Sequence, residues 1–163
     1  MFLKFESILV KSLQTATEES GVRALVYKYP MTKYQMQGFD VYVDSPVSSW
    51  YRAYECKSLD FTEPAPLYFS SHFHVSKGVH QLDYESSILA KSGRSGYLAV
   101  ELRRKKSSDR SVSLIPFDEV MRIRARGNKS LPVKYLISNQ RMRYCRGLYV
   151  FDGTPENYPA DEV

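Results

Sequence analysis

The sequence predicts a single α/β domain, a mixed central β-sheet flanked by helices. Three observations predict it. Residues 2–19 repeat apolar side chains at helical spacing. Residues 38–57, GFDVYVDSPVSSWYRAYECK, read as two short strands around a polar turn. A second helical stretch, 77–91, is followed by a pair of strands. The order helix, three strands, helix, strand pair places helices on the faces of a mixed sheet. Neither an internal repeat nor a boundary divides residues 1–153. The polar, Pro-containing stretch 154–163 is expected to be a mobile tail.

In the first helix Phe2, Phe5, Leu9 and Leu13 form the apolar stripe, flanked by Ile8 and Ala16, and Gly21 is a stop. Glu6 lies beside that stripe in the first turn. An acid there suits the helix N-terminus, and it could also reach a site on the sheet. Residues 22–29, VRALVYKY, have the β-branched and apolar content of a strand. Residues 30–37 are a polar connection, and 60–71 a Pro-containing loop. Ser76 would cap the second helix, whose apolar face is Val79, Leu82 and Leu89. Gly93 and Gly96 mark its end. Strands are expected at 97–102 and 112–115, with a basic turn from 103 to 110. A short helix follows at 117–123, with further strands at 131–137 and 148–151.

The hairpin within 38–57 has a chemical consequence. If its turn is centred between Val47 and Ser48, Asp40 lies opposite Glu55. Opposed residues share a face with Cβ atoms about 5 Å apart. Lys57, two residues past Glu55, points the same way. Two carboxylates that close repel unless a positive group sits between them. A hard cation such as Mg²⁺ binds oxygen at about 2.1 Å and is usually held by one or two carboxylates plus water and phosphate. It lowers the pKa of a bound water and stabilises charge on a phosphodiester, while Lys57 could hold the water or counter the developing charge. Glu-x-Lys alone is equally a solvated ion pair. The Asp on the facing strand raises its weight.

Composition sets the wider bounds. The 163 residues are 43% hydrophobic and 25% charged, enough for one domain with a core. The net charge of +5 suits an anionic partner. Two cysteines without CxxC spacing, Cys56 and Cys145, indicate neither zinc nor a disulfide framework, and fit a reducing cytoplasm. Cys56 alternates with Glu55 and Lys57 and should face the core. Lys4 and Glu6 fall too early for a signal-peptide core, and no apolar run reaches the roughly 20 residues of a membrane span. There is no Walker A, GxGxxG or GxSxG motif, and no helix-turn-helix or zinc-finger pattern.

Glu6, Asp40 after Gly38, and Glu55-Cys56-Lys57 together resemble the PD-(D/E)xK nuclease superfamily, whose core is the restriction-endonuclease-like fold. The second half resembles the RecU-type Holliday-junction resolvases within it. The matching segments are Pro66-Leu67, Ser70 through His74, His80-Gln81, Ser92-Gly93 with Gly96 through Val100, Leu114-Ile115-Pro116 and Asn128 through Pro132. Archaeal Holliday-junction resolvases share the same core. The resemblance implies a divalent-metal endonuclease, commonly a homodimer, nicking branched DNA with Mg²⁺ or Mn²⁺. It implies that Asp40, Glu55 and the Cys56 backbone carbonyl bind the metal. Lys57 would assist the attacking water, Gln81 would orient the Lys57 region or contact phosphate, and Glu6 would support the metal. Phe39 stands where the motif has proline. The segment between Tyr29 and Gly38 is short where RecU-type proteins carry a long stalk, which keeps a restriction- or repair-type nuclease on linear duplex DNA as an alternative, beside a non-catalytic DNA-binding protein with the same fold.

Two further groups are candidate DNA contacts. His72, His74 and His80 lie within nine positions, too few ligands for zinc without further Cys, His or acid at suitable spacing. His72 and His74 are expected to contact phosphate or to be merely polar surface. Arg103, Arg104, Lys105 and Lys106, with the clusters at 122–129 and 141–146, would cradle the DNA backbone rather than read bases.

Overall fold

A computed structural model of the chain describes residues 4–29, 38–105 and 108–153. Helix α1 (Phe5–Glu19) leads into β1 (Leu25–Lys28), β2 (Val41–Asp44), a 3-10 turn (Ser48–Trp50) and β3 (Arg52–Asp60). Three two-residue strands follow, β4 (Leu67–Tyr68), β5 (Val75–Ser76) and β6 (Val79–His80), and then α2 (Gln81–Ser92). The long strands β7 (Ser95–Arg103) and β8 (Arg110–Pro116) precede α3 (Phe117–Ala125). The chain continues through β9 (Ser130–Leu131), α4 (Val133–Ser138), β10 (Gln140–Cys145) and β11 (Leu148–Phe151). The expected polar connection at 30–37, the tail at 154–163, Phe2 and Lys106 lie outside the described residues.

Seven strands form one mixed sheet in the order β1-β2-β3-β7-β8-β10-β11. Among the described residues its one parallel pair is β3 with β7, from Arg52↔Ser95 to Asp60↔Arg103. Alternation along the strands divides the core in two. One face buries Tyr54, Cys56, Tyr97 and Ala99 against Leu9 and Leu13 of α1. The other buries Ala53, Leu98 and Val100 with Leu82 of α2, Phe117 and Val120 of α3, and Leu136 of α4. This is the mixed sheet flanked by helices that the sequence predicts. The Ser12 hydroxyl pins α1 to β11, donating to Ile8 O at 2.7 Å and accepting from Tyr149 N at 2.9 Å.

Several boundaries differ from expectation. The second helix begins at Gln81 rather than at 77, because Lys77 and Gly78 adopt φ 51° and 76° and turn a small β5–β6 hairpin. Its cap is His80, not Ser76: the imidazole Nδ1 accepts from Leu82 N at 3.1 Å. Val79, expected on the helix face, is exposed. The stretch 131–137 is not a strand. Leu131 pairs with Leu67 in the small β4–β9 ladder, and Pro132, without an N–H for the ladder, precedes helix α4. β10 was not expected at all. Its inward Met142 is flanked by Arg141 and Arg143, so its apolar content is low. The strand expected at 22–29 is confined to β1, and the loop at 60–71 contains the end of β3 and all of β4.

Candidate metal-dependent active site

β2 pairs with β3 in the register Val41↔Tyr54, Tyr42↔Ala53, Val43↔Arg52. One step further, this register sets Asp40 opposite Glu55, as the turn centre predicts. Asp40 lies at the mouth of β2, where its backbone N–H donates to Tyr54 O at 3.0 Å. Its carboxylate Oδ2 accepts from Cys56 N at 2.8 Å. N–H and C=O of one strand residue point toward the same neighbouring strand. The Cys56 carbonyl therefore points to the Asp40 side, at the place where β2 begins. The Cys56 side chain packs on the α1 face, and burial pushes its thiol well up.

Glu55 is 2% exposed on the α2 face. Its Oε1 receives two donors, Lys57 Nζ at 3.2 Å and Gln81 Nε2 at 2.7 Å. Lys57 also stands over the Phe73 ring, 4.6 Å from its centroid. Gln81 opens α2, and its backbone N–H donates to His74 O at 2.8 Å. Gln81 thus bonds the same Glu55 oxygen that pairs with Lys57. Its Nε2 also donates to Glu85 Oε1 at 2.9 Å.

Glu85 is the residue that sequence reasoning missed. It is completely buried, one helical turn beyond Gln81. The only signal was that i, i+4 spacing from Gln81, which is meaningful once the helix register is known.

The electrostatics are those of crowded acids. Asp40 is pushed up to about 7, first by burial and then by the Glu55 carboxylate, with Glu6 a smaller contributor. Glu85 rises to about 7, chiefly by burial. Glu55 is raised well above the carboxylate range by burial and the adjacent Glu85, against the pull of Lys57. Glu55 Oε2 and Glu85 Oε2 are buried without a hydrogen-bond partner. Glu6, half-buried on α1, approaches closely enough to act on both Asp40 and Cys56.

This donor set suits a hard cation: all the ligating atoms are oxygens, and one, Glu55 Oε2, is buried and unpartnered. Among the described residues, no three His, Cys, Asp or Glu side chains group so as to hold an ion by themselves. Asp40, Glu55 and the Cys56 carbonyl are the groups that would hold such an ion, which would then need water or phosphate as further ligands.

The other predicted contacts are not part of this cluster. His72 stacks on Tyr68 and its Nδ1 accepts from Tyr68 N at 2.9 Å. His74 is exposed and meets Gln81 through its backbone, donating N–H to Gln81 Oε1 at 3.1 Å. His80 is tied at both ring nitrogens, Nε2 lying 2.9 Å from Phe69 O. The basic turn is paired with acids: Arg103 with Glu101 at 3.1 Å, Arg104 with Asp109 at 3.8 Å, Lys105 with Asp60 at 3.2 Å.

No protein-family profile matches the chain, and no curated protein matches it significantly. Among the described residues no helix is long and apolar enough to cross a membrane.

Proposed function

We propose that the protein is a Mg²⁺-dependent endodeoxyribonuclease of PD-(D/E)xK type that cuts branched DNA, with the Holliday junction as its substrate. The observation that supports this most is the convergence of Asp40, Glu55, Lys57 and Gln81 at the centre of the sheet. The roles follow from their contacts. Asp40, anchored by Cys56 N–H, and Glu55, held by Lys57 and Gln81, would hold the cation. The Lys57 ammonium orients the attacking water and offsets charge developing on the phosphate. Bound Mg²⁺, or Mn²⁺ in its place, would polarise the phosphodiester and lower the pKa of a water. Glu6 supports the site by its negative charge at Asp40.

A symmetric junction needs two cuts, which a two-fold homodimer supplies. Both cysteines are free thiols, which suits the reducing cytoplasm we assign to it. The short 30–37 connection favours linear duplex DNA as the second reading.

The test is cleavage of a labelled four-way junction beside a linear duplex of the same arms, with Mg²⁺ or with EDTA, for the wild type and Glu55→Gln. Metal-dependent nicks in the junction only, lost in the variant, are expected. Equal cutting of both substrates selects the linear-duplex reading, and no cutting of either rejects the nuclease.

A further inference from the structure

The anomaly of the molecule is Glu85. Carboxylates are almost never fully buried unless paired, and Glu85 has no exposed surface. The nearby cation Lys57 is bonded to Glu55 instead. An apolar side chain of the same length would serve the packing of α2 against the sheet without the desolvation penalty. The acid therefore needs a reason other than packing.

The hydrogen bonds supply one. The Gln81 carboxamide has its nitrogen between two carboxylates, 2.7 Å from Glu55 Oε1 and 2.9 Å from Glu85 Oε1, and its oxygen on His74 N–H at 3.1 Å. Turned over, it would set an acceptor against two acceptors and a donor against a donor. Glu55 cannot enforce this orientation alone, since it is itself the group being placed. Glu85, one turn further on the same helix, supplies a second acceptor for the carboxamide nitrogen, while the His74 N–H holds its oxygen.

We infer that Glu85 is a positioning residue: it locks the Gln81 carboxamide, and through it fixes Glu55 Oε1 beside Lys57 while leaving Glu55 Oε2 unpartnered. The consequence for catalysis rests on the nuclease reading above; the lock itself does not. Glu85 acts through Gln81 and is assigned no contact with substrate. An accepting oxygen is what the lock needs, so Glu85→Gln preserves it and the similarly long, apolar Glu85→Met does not.

The test combines two readouts on the full chain. Exchange of the Gln81 side-chain amide protons is followed by NMR without added metal. Slow exchange is expected in the wild type and Glu85→Gln, with acceleration of at least about tenfold in Glu85→Met as the protecting bond is lost. In junction cleavage, Glu85→Met lowers kcat about 10- to 100-fold, the range for partners that orient a ligating group, with KM little changed. Glu85→Gln stays within about threefold of the wild type. Gln81→Met cuts the same link from the other end, and adding Glu85→Met to it changes kcat by less than about twofold, because the residues act as one unit.

Unchanged amide exchange in Glu85→Met, a loss in Glu85→Gln as large as in Glu85→Met, or multiplicative losses in the double variant each overturn the inference. If the wild type cleaves no DNA, the nuclease reading falls while the amide exchange still decides the lock. If Glu85→Met does not fold, the comparison of wild type with Glu85→Gln decides it: protection lost in Glu85→Gln rejects the lock.

Discussion

Asp40 accepts a hydrogen bond from the backbone N–H of Cys56 across 2.8 Å, immediately next to Glu55 on β3. The carboxylate is thus fixed by the strand itself, and no flexible side chain intervenes between the two acids. An amide oxygen can accept the same bond, so Asp40→Asn retains the local geometry and removes one crowded charge. Cleavage is expected to fall by at least about 100-fold, as for loss of a preorganised electrostatic group, with DNA affinity largely kept. Thermal stability at pH 8 without metal is expected to rise by about 3 °C or more, since one pKa unit is about 1.4 kcal/mol and each kcal/mol moves Tm by about 2–4 °C at this size. A lower Tm, or full activity, would show that the charge is not crowded or not used.

The same acids set a pH dependence. Asp40 moves from 3.8 to about 7 and Glu85 from 4.5 to about 7 on folding, and Glu55 shifts in the same direction. The folded chain therefore holds protons that the unfolded chain has released over this range. Stability from these groups is fully present below about pH 4 and is lost as pH rises through about 7. Metal-free Tm should fall by about 3 °C or more between pH 5.5 and 7.5 through these groups. A bound cation replaces the protons, so 10 mM Mg²⁺ should flatten the slope by stabilising the alkaline side. Melting curves across pH with EDTA and with Mg²⁺ check both; parallel curves would rule out a cation at the acids.

Gly96 sits at the start of β7 under α2 and α3. A Cβ there would lie 2.3 Å from Leu89 Cδ1 and 3.1 Å from Phe117 Cβ. Leu89 can rotate aside, but Phe117 Cβ is fixed to the backbone of α3. Gly96→Ala should destabilise by about 1–3 kcal/mol, as overpacking does, without a direct effect on the acids. A denaturant midpoint equal to that of the wild type would mean that the two helices give way at no cost.

The parts of this molecule that were legible in the sequence are those with short-range causes. The β2–β3 register followed from a turn six residues long, so Asp40 and Glu55 were placed opposite each other before any tertiary contact was known. The apolar stripe of α1 and the strand β11 were likewise readable from their own side chains. Glu85 was not, because an acid on a helix reads as solvent-facing until the helix start and its packing are fixed. The segment 131–137 failed for a related reason: a short apolar run fits a strand or a buried helix equally, and Pro132 decided it. The β10 strand, with arginines on its outward face, had too little apolar content to announce itself. Charge alone points the basic turn at DNA; the neighbours Glu101, Asp109 and Asp60 of Arg103, Arg104 and Lys105 come from the fold and cannot be read from that run.

The single parallel pairing of β3 with β7 also determines the order in which the site can assemble. Asp40 and Cys56 are 16 residues apart and meet within one hairpin. Gln81 reaches Glu55 across 26 residues, and Ser58 meets Glu101 across 43. Local closures are fast and long ones wait on chain entropy. During folding the two acids are brought together by the hairpin first, and Gln81 and Glu85 arrive only when α2 docks and β7 zips against β3. A nascent chain halted before β7 therefore carries Asp40 already anchored on Cys56 N–H, while Glu55 beside it still lacks its bond to Gln81.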